Sequence, residues 1–247
     1  QVPIASSFLL SSKAGKEAWV EPIIDKQAKT ISYRIRYGGT QAGMAAAKDG
    51  TKAGRGANFR CIISDTAITP KHITSAAKSG KLGQVLIAIV GEGKGGRAYV
   101  SPSAEHEAVA FSAGPSWKPE QRQPKNPRWF SPPAYGMETF GDLFTDRQLV
   151  ALNTFSDLVH EVRTQIEADA QRAGLSSDPT ALRDGGKGTK AYAEAVSVYL
   201  AFGISKAADY HSSITTWHNG REIIRNTFGR QALPMTWDFT EANPFSS

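Results

Sequence analysis

Six of the chain's 13 prolines fall within residues 113–143, interleaved with Trp117, Trp129, Phe130 and Tyr135. Proline fixes φ near −65° and carries no N–H, so this density forbids an α-helix or a central strand. The segment is predicted to be an extended connector wrapped over the surface, and it is the internal boundary of the chain. Arg128 beside Trp129 could stack on a nucleobase, although aromatics in such a strap more often anchor it to its own core. The segments on either side of this connector differ in character.

Residues 1–112 read as β-rich. Ala18-Trp19-Val20-Glu21-Pro22-Ile23-Ile24 and Thr30-Ile31-Ser32-Tyr33-Arg34-Ile35-Arg36-Tyr37 form a candidate antiparallel pair. The second run alternates, with Ile31, Tyr33, Ile35 and Tyr37 on one face and Arg34 and Arg36 on the other. Residues 38–56, rich in Gly, Ala, Lys and Thr, bury too little apolar surface to offset their ordering entropy and read as a mobile loop. A short strand is predicted over residues 58–63 and a short helix or turn over 74–80. Val85 to Val90 and Ala98 to Ser101 read as strands flanking Gly91-Glu92-Gly93-Lys94-Gly95-Gly96. A phosphate-cradling Gly-rich loop of the dinucleotide or Walker type needs a helix straight after it; a second strand comes next here, so a hairpin turn is the better reading.

After the connector, residues 144–231 read as helical. Thr145-Asp146-Arg147-Gln148 has the form of a capping box, and Leu152, Phe155, Val159, Val162 and Ile166 step along one helical face. This helix is expected to stop at Gly174. Tyr192, Ala195, Val196, Tyr199 and Leu200 mark a second helix to about residue 209, and residues 221–231 a third whose Arg221, Arg225 and Arg230 make one end basic. Residues 232–247 are expected to form a strand and turn.

Lys and Arg outnumber Asp and Glu by 29 to 23, a net charge of +6 compatible with a polyanionic partner. Cys61 is the only cysteine, which excludes an internal disulfide and a multi-thiolate zinc site and fits a reducing, cytoplasmic compartment. No apolar run reaches membrane-spanning length. His106-Glu107 begins like a zinc-protease helix but lacks the second histidine, so no metal site is expected, and no nucleophile elbow is present.

The tail, Trp237-Asp238-Phe239-Thr240-Glu241-Ala242-Asn243-Pro244-Phe245, gathers aromatic, acidic and amide groups. It has what a base or cofactor site would need: carboxylate acceptors, an amide for a base edge and aromatic faces. Equally, Met235, Trp237 and Phe239 could alternate into a core, with Asp238 and Glu241 solvated.

Several runs together resemble the large adenine-specific DNA methyltransferase-like family, whose members carry an N-terminal domain of unknown function and a zinc ribbon. They are Gly38-Gly39-Thr40, Gly54-Arg55-Gly56-Ala57-Asn58-Phe59-Arg60-Cys61, Tyr135-Gly136-Met137 and Phe140 to Leu149. Ala191-Tyr192-Ala193-Glu194-Ala195-Val196, Ala208-Asp209-Tyr210, Phe228 to Phe239 and Asn243-Pro244-Phe245 continue the series. The resemblance covers nearly the whole chain. It implies an α+β segment from the middle of such an enzyme, with the S-adenosylmethionine loop upstream and the catalytic Asp-Pro-Pro-Tyr loop downstream, hence no catalytic residue here. The family's zinc knuckle would need a Cys pair where this chain reads Cys61-Ile62-Ile63-Ser64, so the β module is a degenerate, metal-free ribbon. Implied partners are DNA and the remainder of the parent chain, in restriction–modification or phage defence. Arg34, Arg36, Lys52, Arg55, Arg60, Arg221, Arg225 and Arg230 are the expected DNA contacts. Asp238, Glu241 and Asn243 are candidates for the cofactor or base cleft, on a strand returning to the methyltransferase core. A non-catalytic nucleic-acid-binding module and a structural or protein-interaction domain are the competing readings.

Overall fold

The computed structural model describes residues 1–245. Its fold is α+β, with five α-helices and four small antiparallel sheets among the described residues. β1 (Leu9–Ser11), β2 (Ala18–Asp25) and β3 (Thr30–Tyr37) form one sheet in that order. The expected β2–β3 pair is present in full, with Val20 opposite Ile35, Pro22 opposite Tyr33 and Ile24 opposite Ile31. Pro22 is tolerated in the middle strand because β1 pairs only with Ala18 and Trp19. Alternation leaves Arg34 and Arg36 in solvent and half-buries Ile31, Tyr33 and Ile35. The inner face closes a core of Phe8, Leu10, Ala18, Val20, Ala47 and Tyr99. Each large apolar side chain buried there contributes about 1.5–3 kcal/mol. The outer edge of β3 is covered: the Tyr37 hydroxyl donates to Tyr99 O (2.6 Å), Tyr99 N donates back to it (2.7 Å), and Ile35 N donates to Ser101 Oγ (3.1 Å).

The loop expected over residues 38–56 contains a helix, α1 (Gln41–Asp49). Thr40 caps it by accepting from Gly43 N (3.2 Å), and three consecutive alanines favour it. Its ordering is offset by attachment to the N-terminal segment rather than by its own apolar surface. Phe8 N donates to Ala47 O (2.6 Å), and buried Thr51 exchanges hydrogen bonds with Ala5 at 2.9 Å. Gly50, at φ +56°, lies so near the Ala5–Ser7 backbone that a Cβ would come within 2.5 Å of Ala5 O.

β4 (Phe59–Arg60) pairs with β5 (Ala67–Ile68), and α2 (Pro70–Lys78) starts at a Thr69 cap, four residues before the predicted helix. β6 (Ile89–Gly93) and β7 (Gly96–Val100) make the expected hairpin around the Gly-rich run. β6 begins at Ile89 rather than Val85, and Ile87 and Ala88 pack on the core as irregular chain. α3 (Ala104–Phe111) opens with a capping box in which His106 Nδ1 accepts from Ser103 N (3.1 Å).

Residues 113–143 contain neither α-helix nor sheet strand, only two 3₁₀ turns, as the prolines dictate. Phe130, Met137, Phe140 and Leu143 anchor this strap to Ile214 and Leu233. Trp117 and Trp129 stay exposed, with the Arg128 guanidinium 5.2 Å from the Trp129 ring centroid, so anchoring holds for part of the aromatic set only.

The capping box of α4 (Asp146–Arg172) is formed: Thr145 N donates to Gln148 Oε1 (2.8 Å) and Gln148 N to Thr145 Oγ1 (3.3 Å). Gly174 lies just past the helix at φ +92°, as expected of its stop. α5 (Thr189–Ala208) runs antiparallel beside α4, fastened by the Arg163–Glu194 ion pair.

The third helix expected over residues 221–231 is not formed. β8 (Thr216–His218) and β9 (Ile223–Arg225) make a hairpin closed by Asn219 to Glu222. β-branched and aromatic residues flank Asn219-Gly220, a turn pair that outweighs the helical spacing of the arginines. Trp217 Nε1 donates to Leu10 O (2.5 Å), so this hairpin packs on the N-terminal core rather than on the helices. Residues 232–245 likewise form no strand. Pro234 interrupts the run, and the segment crosses the molecule as an irregular strap. Trp237 inserts between Phe59 and Tyr135, ring centroids 5.4 and 4.9 Å away, which bears out a core role for that residue. No helix among the described residues is long and apolar enough to cross a membrane.

Candidate nucleic-acid interface

The positive charge is unevenly placed. Residues 1–112 hold 15 Lys and Arg against 8 Asp and Glu, a balance of +7, whereas residues 113–247 hold 14 against 15, a balance of −1. Every one of the 15 N-terminal cations except half-buried Lys52 is exposed.

The structure distributes the expected basic stripe over two sheets. Arg34 and Arg36 stand on the outer face of β3, where Glu21 lies opposite Arg34 and its Oε2 accepts from Arg36 Nε at 2.7 Å. Lys52, Arg55 and Arg60 belong to the neighbouring β4–β5 unit. Lys52 Nζ donates to Gly56 O and lies 4.7 Å from the Phe59 ring centroid, and Arg60 pairs with Asp65 at 3.0 Å. Arg55 is exposed beside its glycines. Exposed pairs of this kind are worth about 0–1 kcal/mol and yield readily to a phosphate. Arg221, Arg225 and Arg230, expected at one end of a helix, lie on the β8–β9 closing loop, on β9 and in the turn beyond.

The three tail candidates do not meet in one cleft; each is engaged by its own chain. Half-buried Asp238 accepts from Ser7 N (3.2 Å), and burial pushes its carboxyl up, against hydrogen bonds from Ser6 and Ser7. Glu241 accepts from Thr145 Oγ1 (2.9 Å) and Arg147 Nε (2.5 Å), placing an anion at the N-terminus of α4 where the helix dipole favours it. Asn243 Oδ1 accepts from Phe245 N (3.0 Å), so Asn243-Pro244-Phe245 is a turn.

Cations that the sequence did not single out join Arg221. Lys13, from the turn after β1, and Arg97, from β7, line with it an open concavity of about 380 Å³ whose walls include Gly93, Gly96, Glu92 and Glu222. Glu222 is buried at 5 % exposure and sits in the left-handed region at φ +57°. Burial alone would raise its carboxyl; hydrogen bonds from Lys13, Tyr99 and Ser11 and the Lys13 charge outweigh that and hold it below the usual range. The Tyr99 hydroxyl, 2.8 Å from Glu222 Oε1, is pushed up by burial and by that carboxylate. The available signals in the sequence were local and modest: Lys13-Ala14-Gly15-Lys16 in one turn, and Lys94 and Arg97 about the glycines.

Comparison of the chain with protein-family models, with curated proteins and with solved structures found no match.

Proposed function

We propose that this chain is a DNA-contacting segment of an S-adenosylmethionine-dependent DNA adenine-N6 methyltransferase acting in the cytoplasm. In this reading the parent chain supplies the cofactor loop and the Asp-Pro-Pro-Tyr loop, and the segment by itself transfers no methyl group. The observation that carries the DNA contact is the charge asymmetry: a +7 module displaying nearly all its cations to solvent beside a neutral remainder. The order and spacing of the runs that resemble the methyltransferase-like family support the enzyme class.

The physical logic is one of offsetting costs. Methylating adenine N6 requires the base to leave the duplex, at a few kcal/mol of lost stacking. A surface that grips the flanking backbone offsets this through phosphate contacts, which give affinity and register without reading sequence. Arg34, Arg36, Lys52, Arg55 and Arg60 are the proposed grips of the first two sheets, with Arg221, Arg225 and Arg230 on and beyond the β8–β9 hairpin. Glu241 and Asp238 fix the strap that joins the helices to the basic module.

Two measurements separate the parts of this reading. Duplex DNA titrated against the chain at several salt concentrations should bind, with log K falling linearly in log[salt]; absence of binding removes the DNA contact. Labelled S-adenosylmethionine incubated with the parent protein and DNA should place methyl groups on adenine N6. Methylation of cytosine or of RNA contradicts the enzyme class, and DNA binding with no methyl transfer leaves a non-catalytic nucleic-acid-binding module.

A further inference from the structure

We infer that the concavity between the turn after β1, the β6–β7 hairpin and the β8–β9 loop is a subsite for one phosphodiester of a nucleic-acid backbone, an inference that rests on the DNA contact proposed for the chain. Lys13, Arg97 and Arg221 come from three segments remote in sequence and converge on this opening. Bringing like charges together is unfavourable unless something of opposite sign is present. The protein supplies only part of it. Lys13 is paired with Glu222, and Arg97 reaches Glu92 at 3.3 Å. The Arg221 side chain has no ion-pair or hydrogen-bond partner among the described residues. Three cations against two carboxylates leave a lining charge of +1, the complement of a phosphodiester monoanion.

The walls fit the same ligand. Gly93 and Gly96 present bare backbone, so a phosphate can approach without meeting side chains. A Cβ at Gly96 would point at Lys16 Nζ, 3.4 Å away, and that ammonium donates to Gly95 O at 2.6 Å, putting a fourth cation at the rim. The Gly-rich run is therefore a hairpin turn whose glycines also border an anion site, without the helix that succeeds nucleotide-binding loops. Glu222 acts as a positioning residue. Its left-handed backbone turns the carboxylate into the floor, where it holds Lys13 on one oxygen and the Tyr99 hydroxyl on the other. A non-glycine residue kept in that conformation is over-determined by its surroundings, as at many ligand sites. An opening of about 380 Å³ that is not enclosed suits a phosphate with its flanking sugars running out of both sides.

The test is the salt dependence of duplex binding by the whole chain carrying Arg221→Gln, alone and with Arg97→Gln. Both side chains are exposed, so folding is preserved, and circular dichroism verifies it. Losing one phosphate contact should lower the slope of log K against log[salt] by about 1, with the same loss on duplexes of unrelated sequence. Lys187→Gln, exposed in the loop before α5, should leave the slope unchanged. Glu222→Gln removes one lining carboxylate and frees Lys13, so it should not lower the slope. Should Arg221→Gln and the double variant keep the wild-type slope while Arg34→Gln with Arg36→Gln lowers it, the subsite is wrong and the wider DNA contact stands. If the wild-type chain binds no DNA, both fall together.

Discussion

The two halves of the molecule use their charged groups in opposite ways. After the connector, carboxylates fasten the chain to itself. Asp209, buried at 9 % exposure, accepts from Phe228 N (2.8 Å), Asn226 Nδ2 (3.0 Å) and Lys206 Nζ (3.2 Å). Asp178 accepts from Thr180 N (2.9 Å), and Glu194 from Leu182 N (2.7 Å) while pairing with Arg163. Before the connector, all cations but Lys52 are exposed, and only six of the 15 (Lys13, Lys16, Arg36, Lys52, Arg60 and Arg97) are held by an ion pair or hydrogen bond among the described residues. A surface charge excess adds self-repulsion to the folded state and little stability, which is the physical ground for the association proposed above. The helical part is a scaffold in which several carboxylates are engaged by the chain itself, and the β part displays the exposed cations on which the proposed polyanion contact rests.

The strongest way to break this contrast is through the packing that unites the halves. Phe59, fully buried, sits in the cluster entered by Trp237 from the far end of the chain. Phe59→Ala should destabilise by about 3–5 kcal/mol in chemical denaturation. In a double-mutant cycle with Trp237→Ala, the coupling should be about 0.5–1.5 kcal/mol. Additivity of the two losses would mean that the tail does not pack on the basic module. Next comes charge reversal. Arg34→Glu with Arg55→Glu should reduce duplex affinity at least tenfold near physiological salt and flatten the salt slope by about 2. Arg172→Glu with Arg183→Glu, in the helical part, should leave both nearly unchanged; equal effects from the two pairs would erase the difference between the halves. A smaller effect belongs to the joint at α4. Thr145→Ala removes both the N-cap and the contact with Glu241, at a cost of about 1 kcal/mol.

The smallest expected effect is a pH dependence at His211, buried at 8 % exposure. Burial holds its imidazole below the ordinary value of 6.5, with Glu241 pulling the other way. The unfolded chain therefore takes up a proton near that ordinary value, before the native chain does. Stability should fall as pH drops from about 6.5 toward the lower native value. His211→Gln should flatten that limb of the stability profile; an unchanged limb would place the effect elsewhere.

Local order was legible wherever one short window held all the determinants. The β2–β3 pair came from alternation, α4 from Thr145 and Gln148 at capping spacing, and the β6–β7 hairpin from the order strand, glycines, strand. Residues 221–231 misled because the spacing of Arg221 and Arg225 fits a helical turn, while the decisive Asn219-Gly220 turn lay just outside the window. α1 was hidden for a different reason: what holds it is Thr51 and Gly50 against Ala5, contacts that no local pattern displays. The concavity was the least legible of all. Lys13 and Glu222 are 209 residues apart, and Tyr99 and Glu222 are 123 apart, so only the packing of the β8–β9 hairpin on the first sheet brings them together. The tail showed the converse. Its cluster of site-like groups, Asp238, Glu241 and Asn243, was visible at once, and those groups are occupied by Ser7, Arg147 and Phe245.

The most direct measurement is the equilibrium binding of the whole chain to a short duplex as salt is raised, for the wild type and for the Arg34→Glu/Arg55→Glu variant in parallel. A basic module that grips phosphates predicts a steep linear fall of log K with log[salt] and a slope shallower by about 2 in the variant. Coincident slopes for the two proteins, or no salt-dependent binding by either, would contradict it.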